Sequence, residues 1–221
     1  TSHILHIVLA GVVHTEADVA GDGVGEQEVI LRYIGGGGTN LSDGHGVDIV
    51  PIDEDGAMRL WLFMQIITGH DQRAKNIFYA ARYEKEGYKF YFAPWDMDLT
   101  WGNVSVGEIN PVYSAFEMDT LDNRVYWETG DWLIELNRKG TRDKMQQLYT
   151  ELRETTLKNE VVESKIFELD HQLRDSGAFD RDRQRWPKGV HAENCGTLLE
   201  YAKGRLEFLD KALYNFELFE E

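Results

Sequence analysis

Two runs rich in aromatic residues, separated by a short polar segment, most strongly constrain how this chain folds. Residues 77–83 read Ile-Phe-Tyr-Ala-Ala-Arg-Tyr, and residues 88–93 read Tyr-Lys-Phe-Tyr-Phe-Ala. This pattern predicts a β-hairpin, with Gly87 supplying the positive φ that such a loop often needs. Because a hairpin brings its two ends together, we expect the polar segment 71–76 to lie near the acidic segment 96–98.

The polar residues at these two ends predict a site for phosphoryl transfer. Such a site needs a carboxylate to orient a hydroxyl and oxygen ligands for magnesium. Asp71 and Asn76 are five residues apart, which is the spacing between the catalytic Asp and the metal-binding Asn of the kinase catalytic loop. A carboxylate after the hairpin, from Asp96 or Asp98, would be the second metal ligand. Asp and Asn are also common turn and helix-capping residues, so the spacing alone leaves both interpretations open.

The same stretch resembles the CotH family of atypical protein kinases, which is named after a spore-coat protein. The likeness rests on Asp71 followed by Asn76-Ile77-Phe78-Tyr79, then a hairpin, then a signature ending in glycine. That signature, at residues 94–102, reads Pro-Trp-Asp-Met-Asp-Leu-Thr-Trp-Gly. Shorter matches follow in the family's usual order at residues 131–133, 151–153, 176–178, 185–187 and 205–209. The likeness covers roughly residues 56–221.

The resemblance implies both a fold and an activity. The fold would be α+β: the second lobe of a protein-kinase-like fold, with a small hairpin sheet and a mostly helical C-terminal half. The activity would be transfer of the ATP γ-phosphoryl group to a protein Ser or Thr hydroxyl, with Mg²⁺ or Mn²⁺ as the metal. Asp71 would orient the acceptor hydroxyl and Lys75 would steady the transferring phosphate. Asn76 and Asp96 would hold the metal and its nucleotide, with Asp98 as the rival metal ligand. The substrate would be a spore-coat or cell-surface protein, which would place the chain at the spore surface or outside the cell.

Residues 1–55 read differently from the rest of the chain. They are glycine-rich, with four consecutive glycines at 35–38, and they contain no lysine. A kinase-like site uses a lysine on an upstream strand to hold the phosphates of the nucleotide. The first lysine here is Lys75, and the strand-like run 29–34 offers only Arg32, which is not a conservative replacement.

These departures predict a chain with a kinase C-terminal lobe over residues 56–221 and an upstream lobe that is missing or replaced. We expect weak or no catalytic activity from the chain alone. The alternative is a non-catalytic binding or scaffold protein that retains a kinase-like lobe. A second alternative is a metal-dependent phosphohydrolase, because the His70-Asp71 doublet is typical of that class.

Composition excludes other classes of function. The formal net charge of −16 disfavours binding to nucleic acid or to an acidic membrane surface. The sequence has no apolar run long enough to span a bilayer and no signal-peptide pattern. Cys195 is the single cysteine, so no internal disulfide can form.

Helical periodicity accounts for most of the remaining sequence. Residues 57–68 are apolar nearly all round, which predicts a buried helix that ends at Gly69. Further helices are expected to begin at Asp131, Thr141 and Asn159, and a last one to cover residues 196–219. The charged run 180–183 is interpreted as a solvated connector.

Overall fold

The structure is a computed structural model, and it describes seven ranges of the chain. The fold is α+β, as predicted, and the described residues form six α-helices and two antiparallel sheets of two strands each. The predicted upstream segment 1–55 lies outside the described residues up to position 51, and so does Lys75. The described ranges are 52–71, 76–85, 87–105, 114–116, 118–137, 140–187 and 195–219.

The helices and strands follow one another with short connections. The elements are α1 (Glu54–Ile67), β1 (Ile77–Glu84), β2 (Gly87–Pro94), β3 (Asn103–Ser105), β4 (Ser114–Phe116), α2 (Glu128–Leu136), α3 (Thr141–Arg153), α4 (Asn159–Asp175), α5 (Ala178–Arg185) and α6 (Gly196–Ala212). Two short 3₁₀ helices cover Met118–Thr120 and Phe216–Phe219. No helix in the described ranges combines the length and apolarity needed to cross a membrane.

Helix α1 confirms the buried helix predicted from its apolar sequence. Glu54 and Asp55 lie in its first turn, where carboxylates interact favourably with the helix dipole. Leu62 is only 1% exposed, although its neighbour Phe63 is 39% exposed. The polar exception Gln65 is also buried, and its side chain bonds both backbone groups of Val125. A buried amide needs such partners, because an unsatisfied polar group is costly.

The predicted hairpin is confirmed as β1 and β2. The two strands pair in register from Ile77 with Pro94 to Glu84 with Gly87. Gly87 is therefore a paired residue of β2 and does not belong to the loop, where the prediction placed it. Alongside β2, the amide of Asp53 donates a 2.8 Å hydrogen bond to the carbonyl of Phe90.

Contacts divide the chain into two compact units. The first unit comprises Thr1–Trp61, Asp71–Trp95 and Tyr126–Leu136. The second unit comprises Leu62–His70, Asp96–Val125 and Asn137–Glu221.

The first unit is organised around Asp131. Its carboxylate accepts hydrogen bonds of 2.6 Å from the indole nitrogen of Trp61 and from the amide of Trp127. Trp127 immediately precedes α2, so Asp131 holds the helix start from within the first turn. The prediction that Asp131 itself begins this helix is wrong by three residues. The cause is a capping contact that reaches backwards along the chain.

The second unit contains a buried cation, Arg205 of α6. Its Nε donates to the carbonyl of Gln65 at 2.8 Å, and Nη1 donates to the carbonyls of Leu121 and Asn123 at 2.7 and 2.8 Å. Burial lowers the pKa of Arg205 to about 10, so the guanidinium remains charged at neutral pH. Helix α1 has no basic residue in its last turn, and Arg205 supplies positive charge to those carbonyls from elsewhere in the unit.

Three other helix boundaries differ from prediction, and one agrees. Helix α4 begins at Asn159 as expected. Thr141 is the first residue of α3, whose N-cap is Gly140 at a φ of 69°, so Thr141 does not cap it. The charged run 180–183 lies within α5, so it is an exposed helix rather than a connector. The last predicted helix ends early, at Ala212.

Candidate functional site

Asp71 and Asn76, the two residues singled out by their spacing, are in direct contact within the first unit. The side-chain Nδ2 of Asn76 donates a 2.8 Å hydrogen bond to Oδ2 of Asp71. Both residues are half-buried. Asn76 has a φ of 63°, in the left-handed region that Asn tolerates better than most residues. The Nδ2 atom is thus engaged by Asp71, and the carbonyl Oδ1 is the atom of Asn76 that can ligate a hard cation.

Asn76 lies at the open end of the hairpin. Its carbonyl accepts a 2.8 Å hydrogen bond from the amide of Trp95, which continues the β1–β2 pairing by one more residue on each strand. The rings of Trp95 and Phe78 pack edge to face with centroids 5.4 Å apart. The hairpin therefore fixes Trp95, the residue that immediately precedes Asp96 in the chain, beside Asn76.

Asp96 and Asp98 begin the second unit, in a segment that folds back on itself. Thr100 donates through its hydroxyl to the carbonyl of Met97 at 2.8 Å, and the side chain of Asn103 donates to the carbonyl of Asp98 at 2.7 Å. Both aspartates are exposed, and Asp96 has a φ of 56°. That either carboxyl group reaches Asn76 through a shared metal remains a prediction.

Within the second unit, the far end of this acidic segment is bonded to the end of α1. The amide of Trp101 donates to the carbonyl of Ile67 at 2.6 Å, and the amide of Gly102 donates to Oγ1 of Thr68 at 3.3 Å. Ile67 is the last residue of α1, so its carbonyl has no partner within the helix. The acidic segment therefore supplies a cap for the helix that leads towards Asp71.

Sequence reasoning missed a second contributor to this junction, Tyr201 of α6. Its hydroxyl donates to Oγ1 of Thr68 at 3.1 Å and lies 3.0 Å from the hydroxyl of Thr120. Tyr201 is fully buried. The signal available in the sequence was a tyrosine next to the apolar stripe of the last helix, but periodicity does not identify a partner 133 residues away.

Left-handed backbone conformations concentrate around these loops. Five non-glycine residues in the described ranges have positive φ, and four of them lie between positions 68 and 101. Such conformations are uncommon outside glycine, are strained for a β-branched or bulky residue, and cluster at functional sites. The four residues are Thr68, Asn76, Asp96 and Trp101.

The described residues contain no group of three or more His, Cys, Asp or Glu side chains arranged to hold a metal ion. The phosphohydrolase alternative requires such a group around His70 and Asp71. The histidines upstream of His70 lie outside the described residues. A site built on Asn76 and one aspartate is of another kind, because Mg²⁺ is commonly held by one or two carboxylates together with the phosphates of the substrate.

Comparison with known proteins identifies the family. No curated protein compared with the chain matches it. Residues 51–209, which are well over half of the chain, match the family described as CotH kinase protein. The match includes the Asp71–Asn76 pair, the hairpin, the acidic segment and all of α1–α5, and it confirms the resemblance drawn from the sequence. The chain therefore belongs to the CotH kinase family.

Proposed function

We propose that this chain is a magnesium-dependent protein phosphotransferase that transfers the γ-phosphoryl group of ATP to a Ser or Thr hydroxyl of a protein. The observation that carries the proposal is the hydrogen bond between Asp71 and Asn76 in a member of the CotH kinase family. That bond joins the two residues whose spacing matches the catalytic Asp and the metal-binding Asn of kinases.

Asp71 is assigned to the acceptor substrate. In the transfer, the hydroxyl oxygen forms a bond to the γ-phosphorus and the bond from that phosphorus to the β–γ bridging oxygen breaks. ADP then leaves, and the hydroxyl proton passes to the Asp71 carboxylate. The bond from Asn76 Nδ2 holds one oxygen of this carboxylate in place, which supports a fixed orientation for the acceptor. Fixed geometry matters because phosphoryl transfer depends mainly on positioning and charge neutralisation.

The residues fit a hard cation. Asn76 offers an amide oxygen, and Asp96 and Asp98 offer exposed carboxylates, which are the ligand types that Mg²⁺ and Mn²⁺ prefer. When bound, the metal neutralises negative charge on the phosphates of ATP. We assign Asn76 and Asp96 to the metal and nucleotide, with Asp98 as the rival ligand. Lys75 is assigned to the transferring phosphate, by family resemblance.

Two contacts support the convergence of these residues. Trp95, next to Asp96 in the chain, is bonded to the carbonyl of Asn76. The other end of the acidic segment, at Trp101, is bonded to the carbonyl of Ile67, four residues before Asp71. The two segments that carry the proposed ligands are therefore tied to one another at both of their ends.

We expect the transfer to be slow with this chain alone, because no lysine precedes Lys75 in the sequence. A lysine on an upstream strand normally forms part of the electrostatic clamp on the phosphates. The alternative function is a non-catalytic binding or scaffold protein that retains a kinase-like lobe, and the missing lysine is the observation that favours it.

The test is incubation of the full chain with radiolabelled ATP, Mg²⁺ or Mn²⁺ and a generic protein acceptor. The key variant is Asp71→Asn, which keeps the shape of the side chain and removes its charge. Asp175→Asn is the matched control, because Asp175 is an exposed carboxylate at the end of α4. We expect Asp71→Asn to reduce incorporation by about a hundredfold or to background, whereas Asp175→Asn has no effect.

Other outcomes separate the two functions. Equal incorporation by the wild type and Asp71→Asn would show that the site is misplaced. Absence of incorporation, together with metal-dependent ATP binding that requires Asn76, would favour a non-catalytic nucleotide-binding lobe. Absence of both would favour the scaffold function.

A further inference from the structure

We propose that Thr68 and Tyr201 form a hydroxyl hub that positions the acidic segment 96–102 for metal binding. The hub joins three parts of the second unit: the C-terminal end of α1, the Trp101-Gly102 turn and helix α6. Both residues are positioning residues, because they act through the backbone that carries Asp96 and Asp98. The metal-binding consequence rests on the proposed function, but the anchoring of the segment does not.

Thr68 is an unexpected residue at its position. The amide of Gly69 donates to the carbonyl of Met64 at 3.0 Å, and Thr68 has a φ of 52°. These features define the Schellman ending of a helix, in which the left-handed residue is usually glycine. A β-branched residue is strained in this conformation. The strain indicates that the Thr68 side chain has a task that glycine could not perform.

That task is visible in the hydrogen bonds of the Thr68 hydroxyl. Oγ1 donates to the carbonyl of Ile67 at 2.6 Å, and it accepts from the amide of Gly102 and from the hydroxyl of Tyr201. Because Tyr201 donates its single proton to Thr68, the remaining 3.0 Å contact makes Thr120 the donor to Tyr201. The result is a directed chain of three hydroxyls, all belonging to residues that are buried or half-buried.

The ring of Tyr201 restrains the same turn by close packing. A Cβ atom added to Gly102 would lie 2.6 Å from the ring carbons Cδ2 and Cε2 of Tyr201. Gly102 also has a φ of 84°, which L side chains rarely adopt. Tyr201 thus contacts the turn through its ring and reaches Thr68 through its hydroxyl.

The consequence concerns the acidic segment that ends at this turn. Asp98 lies three residues before Trp101, whose amide is bonded to the carbonyl of Ile67. If the hub is removed, the C-terminal anchor of the segment weakens and the carboxylates sample a wider range of positions. A metal site tolerates such motion poorly, because its ligands must be held in a narrow geometry.

The test compares Thr68→Gly and Tyr201→Phe with Tyr149→Phe in the full chain. Thr68→Gly relieves the strained φ and removes the hydroxyl, so a loss of anchoring is not masked by unfolding. Tyr149→Phe is the matched control: Tyr149 is another buried tyrosine of the second unit, and its hydroxyl bonds Leu206 and Asp210 instead. The readouts are the thermal midpoint, amide hydrogen exchange at Trp101 and Gly102, and Mn²⁺ affinity in the presence of ATP by electron paramagnetic resonance.

We expect Thr68→Gly and Tyr201→Phe to accelerate exchange at Trp101 and Gly102 by about tenfold or more. The same variants should weaken Mn²⁺ binding by roughly tenfold. Thr68→Gly should do so with little change in thermal midpoint, and Tyr149→Phe should change neither the exchange of these amides nor the affinity.

Two results would overturn the proposal. Wild-type exchange at both amides in Thr68→Gly would show that the hub does not anchor the turn. Faster exchange with unchanged Mn²⁺ affinity would show that the anchor does not position a metal ligand. If the wild type itself fails to bind Mn²⁺ with ATP, the proposed function and the positioning role fail together, and exchange alone then decides the anchoring.

Discussion

The side-chain amide of Asn76 donates its hydrogen bond to Asp71 while the residue itself has a left-handed backbone. This pairing leaves the amide oxygen as the metal-ligating atom and removes the need for a second donor to Asp71. Because glycine accepts positive φ without strain, Asn76→Gly should remove the side chain and leave the fold nearly intact. We expect that variant to weaken Mn²⁺ affinity in the presence of ATP by roughly tenfold or more.

The control for this prediction is Asn137→Gly. Asn137 also has positive φ, at 46°, and its side chain accepts a hydrogen bond from the amide of Arg142. It belongs to the start of α3, so its loss should leave metal affinity unchanged. Titration of both variants by electron paramagnetic resonance would decide the matter, and equal affinities for the two would remove Asn76 from the site.

Adjacent residues of α1 provide a test of its burial. Leu62 is 1% exposed and Phe63 is 39% exposed. Leu62→Asp buries an unpaired carboxylate, which should lower the free energy of unfolding by more than about 3 kcal/mol and unfold a marginal domain. Phe63→Asp places the same charge where water reaches it, so the expected loss is about 1 kcal/mol. Circular dichroism melts should separate the two, and similar melts would contradict the buried face assigned to α1.

Two helical glycines differ in what surrounds them. A Cβ atom on Gly130 would lie 2.6 Å from Cδ1 of Trp61 and 2.7 Å from Cε3 of Trp127, and ring atoms have little room to move. A Cβ atom on Gly204 would lie 2.5 Å from a terminal methyl carbon of Leu121, which can rotate away.

Alanine should therefore act differently at these two positions. Alanine gains about 1 kcal/mol over glycine in a helix interior, but overpacking costs about 1–3 kcal/mol. We expect Gly130→Ala to lower the free energy of unfolding by about 1–2 kcal/mol. Gly204→Ala should change it by less than about 1 kcal/mol in either direction. Chemical denaturation measures both, and equal effects would contradict the tight packing of Gly130 between the two indoles.

Local patterns predicted the features that depend on local physics. Alternating aromatic residues specified β1 and β2, and an apolar sequence on all faces specified α1. The five-residue spacing also led to the Asp71–Asn76 contact. Helix starts were less predictable, because Asp131 caps α2 from inside its first turn and Gly140 replaces Thr141 as the N-cap of α3.

The junction around Thr68 was beyond prediction for a different reason. Helical periodicity shows which face of a helix is buried but does not name the residue that meets it. Tyr201 and Thr68 lie 133 residues apart, and only the fold brings their hydroxyl groups together. The left-handed φ of Thr68 was equally hidden, because Gly69 offered the more obvious end for α1.

The last prediction concerns the geometry of the proposed metal site. The amide of Trp95 is bonded to the carbonyl of Asn76, so the acidic segment starts beside the proposed amide ligand. Two ligands of one ion have donor atoms on the order of 4–6 Å apart or closer. We therefore expect a carboxyl oxygen of Asp96 or Asp98 within about 4–6 Å of Asn76 Oδ1 when Mn²⁺ and a non-hydrolysable ATP analogue are bound. A crystal structure with anomalous scattering from manganese would locate the ion. Asp96→Asn and Asp98→Asn would then identify the ligand, since only one should weaken binding strongly. Both carboxyl groups lying far from Asn76, or on the opposite face of the hairpin, would rule out the phosphotransfer function proposed for this chain.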